Sequence, residues 1–172
     1  MGYTTEFTGE FKVTPPLKPE HAAYLKAFSE TRRMTRDPEV TAQRLDPVRL
    51  AVNLPVGRDG CYFVGADGFM GQERHCESGV ANYNEPPSTQ PGLWCQWVPS
   101  DNGTAILWNG TEKFYRYVEW LRYIVDHFLT PWNYKIDGRV TWEGEDRNDR
   151  GVIIAVRSRV RTEREDTWAR RR

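Results

Sequence analysis

The stretch from Thr111 to Leu129 constrains this chain more than any other. Read at the helical period, it puts Phe114, Tyr117, Val118, Leu121, Ile124, Val125, Phe128 and Leu129 on one arc. Glu112, Arg116, Glu119, Arg122 and Asp126 fall opposite. A helix with so divided a surface has to bury one face. Asn109 or Thr111 can cap its start, and Glu112 suits the positive end of the helix dipole. Thr130 precedes Pro131 and is pushed out of the helical region, so the expected helix runs over about 111–129.

Around it, Tyr3 to Val13 alternates loosely through Phe7, Phe11 and Val13 and reads as an opening strand bent at Gly9. Pro19 suits a first helical position, and Tyr24, Leu25 and Phe28 form the apolar stripe of a helix expected over about 19–33. Asp37-Pro38 and Asp46-Pro47 each start a short helix, ending near Leu45 and Asn53. Cys61 to Val64 reads as a strand. Residues 66–92 show no periodicity, and a loop of that length is compact, disordered or functional. Leu93–Val98 and Thr104–Asn109 form a hairpin through Ser100 to Gly103, and Asp137-Gly138 signals a second one between Tyr134–Ile136 and Arg139–Trp142. Val152 to Val160 reads as one final strand. The expected fold is a single α+β domain over residues 1–162, followed by a charged tail. Its antiparallel sheet carries the two longer helices packed on one face.

Lys and Arg number 24, as do Asp and Glu, so overall charge gives no reason to expect nucleic acid as a partner. No apolar run is long enough to span a bilayer, and the first residues lack the pattern of a signal peptide, so no membrane is expected and the expected location is cytoplasmic. Cys61, Cys76 and Cys95 are odd in number, which fits free thiols in a reducing compartment.

Candidate chemistry is sparse. Glu143, Glu145, Asp146 and Asp149 crowd the connection between two strands, but Arg150 stands where a calcium loop needs an oxygen ligand. Cys61, His75-Cys76 and Cys95 lack the paired spacing of a zinc site, so neither metal nor cofactor is expected. Glu143-Gly144-Glu145 matches the Glu-x-Glu signature of ADP-ribosyltransferases, with Ser88-Thr89-Gln90 upstream as a loose counterpart of that family's Ser-Thr-Ser strand. Seven Trp and eight Tyr form a heavy aromatic load. Tyr115, Trp120, Tyr123 and His127 lie off the buried arc of the central helix and are candidate binding residues. Tyr83 and Trp94 join them from the long loop and its end, and Glu145, Asp146 and Asp149 from the acidic turn.

The run Gly138-Arg-Val-Thr-Trp-Glu-Gly-Glu-Asp146, with the segment from Gln90 to Ser100 and the helix around Trp120, resembles a family of uncharacterised bacterial and phage-associated proteins. That resemblance implies no activity. The first expectation is therefore a binding protein without chemistry of its own, whose partner is another protein or a second copy of the chain. The alternatives are a small-molecule or nucleotide binder using residues 66–92, and an ADP-ribosyltransferase-like enzyme using Glu143 and Glu145.

Overall fold

A computed structural model describes residues 2–66 and 79–165. The first half of the chain gives β1 (Thr5–Thr14), α1 (Pro19–Ser29), β2 (Thr35–Arg36), α2 (Pro38–Thr41), α3 (Pro47–Ala51) and β3 (Val80–Asn82). The second half gives β4 (Trp97–Pro99), β5 (Ala105–Trp108), α4 (Tyr117–Ile124), β6 (Lys135–Gly144), β7 (Arg150–Val156) and β8 (Arg159–Arg164). The class is α+β with antiparallel sheets, as the sequence indicates. The chain divides into two compact units, one formed by Met1–Leu17 with Gln96–Arg172 and the other by Lys18–Cys95.

The first unit is built on a six-stranded sheet in the order β4-β5-β1-β6-β7-β8. Strand alternation sends Phe7, Phe11 and Val13 of β1, Ile136, Val140 and Trp142 of β6, and Ile153 of β7 to one face, where all are buried. Rings from other elements close over this face. Tyr117, at the start of α4, sits 4.8 Å from Phe7 and 6.0 Å from Trp142, and Phe114 sits 5.4 Å from Trp97.

Three local expectations are corrected here. Asp137-Gly138 is no turn: Gly138 lies inside β6 opposite Phe11 and Ala155, in a backbone conformation of φ 148°. A Cβ there would lie 2.6 Å from the Glu10 carbonyl oxygen, so the glycine serves close strand approach. The expected last strand is two strands, reversed at Arg157-Ser158, both with positive φ. Neither residue favours that region, but contacts from β6 hold the turn. Arg157 N–H donates to Asp137 Oδ1 at 2.8 Å, and Ser158 N–H donates to the Ile136 carbonyl at 2.9 Å. The central helix begins at Tyr117, not Thr111, because Lys113 and Arg116 adopt left-handed conformations that loop Phe114 into the ring cluster. It finishes as a π-turn over Val125–Leu129, so the stop comes near Leu129 as expected, but not for the expected reason: Thr130 keeps a helical conformation before Pro131, with its N–H donating to the Val125 carbonyl at 2.9 Å.

In the second unit α1 ends at Ser29, short of the expected Arg33. Asp37 caps α2 by accepting from Glu39 N–H at 2.9 Å. Cys61 to Val64 forms no strand, although Cys61, Phe63 and Val64 are buried. Its backbone is held by side chains instead of a neighbouring ladder. Arg33 Nη2 donates to the carbonyls of Cys61 and Phe63 at 2.9 and 2.7 Å, Gln90 Nε2 to that of Cys61 at 2.7 Å, and Tyr24 Oη to that of Tyr62 at 2.9 Å. Asp46 Oδ1 accepts from Gly65 N–H at 2.9 Å. Buried backbone groups need partners, and here long polar side chains supply them.

Candidate functional site

Four of the sequence candidates, Tyr115, Glu145, Asp146 and Asp149, converge on the segment entering β1. Tyr3 Oη donates to Asp149 Oδ2 at 2.8 Å and accepts from Asp146 N–H at 3.1 Å, while Tyr3 N–H donates to Tyr115 Oη at 3.1 Å. Thr4 N–H donates to Glu145 Oε1 at 2.6 Å, and the second oxygen of Asp149 accepts from Trp142 Nε1 at 2.9 Å. The strand does end at Gly144, as its glycine suggests, and a Cβ there would collide with Tyr3 Oη and the Asp149 carboxylate. The acidic turn is thus a clasp that secures the chain's first strand. Asp149→Ala should cost about 1–3 kcal/mol in urea denaturation, because the buried indole N–H of Trp142 loses its acceptor. Asp149→Asn keeps one acceptor oxygen and should recover part of that loss.

Trp120, Tyr123 and His127 form a ladder along α4 and the π-turn. Trp120 and Tyr123 are buried and meet edge to face at 5.4 Å, and Tyr123 stacks on His127 at 4.0 Å. Burial lowers the His127 pKa against the opposing pull of Asp126. Tyr117 is pushed up to about 12, chiefly by burial and secondarily by the Asp149 carboxylate. Trp120 and Tyr123, expected off the buried arc, thus spend their surface inside the protein, while Tyr117 and His127 are half-buried. In the second unit the Arg32 guanidinium lies 4.0 Å over the Tyr83 ring, and Trp94 is half-buried. Of residues 66–92, the span 67–78, which includes His75 and Cys76, lies outside the described residues. Cys61 is buried and its thiol is pushed up by burial, partly opposed by Arg33, so it is a poor nucleophile.

The other face of the first unit's sheet was not singled out by the sequence. There β1, β6, β7 and β8 align in rows: Glu6–Glu143–Arg150, then Thr8–Thr141–Val152–Glu163 and Glu10–Arg139–Ile154–Arg161, with the pairs Lys12–Asp137 and Val156–Arg159 beyond them. Signs are divided along it. At one end Glu6 stands directly opposite Glu143, and their repulsion is offset by Arg150, whose Nη2 lies 2.6 Å from Glu143 Oε1. With Thr8, Thr141 and Glu165 these residues line a polar cleft of about 230 Å³. Arginines gather at the other end, around a shallow hollow of about 580 Å³ lined by Val156, Arg157, Arg159, Val160 and Arg161. Val156 is 53% exposed. The register makes this arrangement, since the Arg157-Ser158 turn folds β8 back and aligns its arginines with Arg139 and Val156.

Glu143 points out from this face, whereas Glu145 is engaged by Thr4, so the two carboxylates serve different places. Among the described residues no group of three or more His, Cys, Asp and Glu side chains is placed to hold a metal ion, and no helix is long and apolar enough to cross a membrane. The fold and this face define an α+β protein with a charge-divided sheet surface, on which Thr8, Thr141, Arg139, Val156 and Arg159 are exposed while Val152, Ile154 and Glu163 are buried. Comparison with family models, curated proteins and solved structures found no match.

Proposed function

We propose that the chain is an interaction protein that binds another protein through the outward face of β1, β6, β7 and β8. The observation that carries this reading is the face itself. It combines exposed Thr8 and Thr141, an exposed Val156 and two ends of opposite charge, a combination that gives contact area together with orientation. The candidate residues from the sequence support the role differently: the clasp at Tyr3 holds β1 in register, and the ring cluster under the sheet keeps the face rigid. The resemblance of Gly138 to Asp146 to a bacterial and phage-associated family favours a search among cytoplasmic proteins of phage or mobile-element origin. The outward geometry of Glu143 favours binding over ADP-ribosyl transfer, which needs its paired carboxylates in one pocket.

The test is co-purification from the native host with wild type and with Thr141→Arg, a bulky cation in the centre of the face. A partner retained by wild type and lost by the correctly folded variant is the expected result. Capture unchanged by Thr141→Arg would overturn the reading, as would a wild-type chain that stays monomeric and partnerless in light scattering.

A further inference from the structure

If this face is the docking surface, its arginine end specifies the chemistry of the partner. At the arginine end, Arg139 and Arg161 flank Ile154 on either side, and Arg159 stands beside Val156 with Asp137 beyond it. Lys12 follows across β1. Arg161 is paired with Glu163. Among the described residues no ion pair engages Lys12, Arg139, Arg157 or Arg159. These are exposed cations held at fixed spacing by strand register, around an apolar side chain that has been left uncovered. Singly exposed valines are ordinary, but one that lines a hollow among three arginines offers an apolar contact inside a cationic patch.

Anions of two classes could answer such a patch, and the rest of the face separates them. Lys12 and Glu6 stand six residues apart on β1, about 20 Å along the strand. A phosphodiester chain laid along the sheet would pass from the arginines onto Glu6, Glu143 and Glu165. Single-stranded nucleic acid is also held by rings on which bases stack, and the hollow is lined by valines and arginines alone. A short acidic stretch carrying an apolar residue meets neither obstacle. Its carboxylates match the planar guanidinium forks, and its apolar side chain covers Val156.

We propose that the arginine end of the sheet face, centred on Val156 with Arg139, Arg157 and Arg159, is the seat of a short acidic segment of a partner protein. Arg157 lies in the hairpin turn and Arg159 opens β8 directly after it, so the segment would lie across the ends of β7 and β8, with its free charge directed away from Glu6 and Glu143.

The test uses the full chain and a short fluorescein-labelled peptide in which Asp and Glu surround a central leucine. Two further probes are the same peptide with lysines in place of the acids and a single-stranded oligonucleotide. Anisotropy should show binding of the acidic peptide that weakens with salt, and R139E/R159E should reduce affinity by about tenfold or more, with R139Q/R159Q a smaller loss in the same direction. Val156→Asp should weaken binding as well, and Asp101→Asn, in the β4–β5 turn, should leave it unchanged. R139Q/R159Q should melt close to wild type, since both side chains are exposed, whereas R139E faces Glu10 across the β1–β6 ladder and should melt slightly lower, so near-ultraviolet circular dichroism is used to show that the charge-reversed variant is folded. The proposal is overturned if the acidic peptide does not bind, if R139E/R159E binds it as well as wild type does, or if the oligonucleotide binds more tightly. A concentration-dependent dimer abolished by R139E/R159E would assign the patch to a second copy and would also overturn it. If Thr141→Arg loses the co-purified partner while R139E/R159E keeps it, the face is the docking surface and the acidic segment is wrong.

Discussion

Replacing Asp46 by alanine should cost about 3–5 kcal/mol, the usual penalty for leaving a buried charge without its partner. Asp46 is 1% exposed, and its Oδ2 lies 2.5 Å from Nε of the buried Arg49. Its other oxygen accepts from the N–H groups of Val64 and Gly65 at 3.3 and 2.9 Å. The substitution therefore strands a guanidinium and two backbone donors together. Arg49 Nη1 would keep its bond to the Leu54 carbonyl at 2.6 Å, which is too little to satisfy the ion. Asp46→Asn tests the charge separately. It preserves an acceptor for the backbone and loses the ion pair, so guanidinium denaturation should place it between wild type and alanine. A loss under about 1 kcal/mol for Asp46→Ala would show that water or a shift of Arg49 compensates.

The second large effect belongs to Gly151, opposite Trp142 in the β6–β7 ladder. The indole folds over the glycine, so a Cβ added there would lie 2.3 Å from Trp142 Cη2 and 2.5 Å from the Glu163 carbonyl oxygen. One obstacle is a ring fixed by its bond to Asp149, and the other is backbone of β8. Neither can give way cheaply. Gly151→Ala should destabilise by about 3 kcal/mol or more, with lost near-ultraviolet signal from the displaced tryptophan. Pairing Gly151→Ala with Trp142→Phe should recover part of the loss, because only the ring contact is relieved.

Much of the architecture was readable where one period ran uninterrupted. The alternation of Phe7, Phe11 and Val13 described β1, and Ser100 to Gly103 described the turn between β4 and β5, where Asn102 Oδ1 accepts from both Thr104 N–H and Oγ1. The errors share a cause. Asp137-Gly138 reads as a turn by local preference and Val152 to Val160 as one strand by its alternation, and in both places contacts across strands outweigh the local signal. Gly138 was needed for strand approach, and Asp137 turned its carboxylate to hold the reversal at Arg157.

The candidate site divides the same way. Residue type alone marked the acidic turn and the ring-rich helix as unusual, and the structure uses both internally, as a clasp on Tyr3 and as packing around Trp120 and Tyr123. The outward sheet face could not be found in the sequence, because Arg139, Val156 and Arg159 lie far apart or in one apparent strand until β6, β7 and β8 come into register. Periodicity and capping determined the class, the main helix and most strands, since these depend on neighbours within a turn or two. Only tertiary structure decided which charges stand side by side, because cross-strand register is set by side chains packing over long sequence separations.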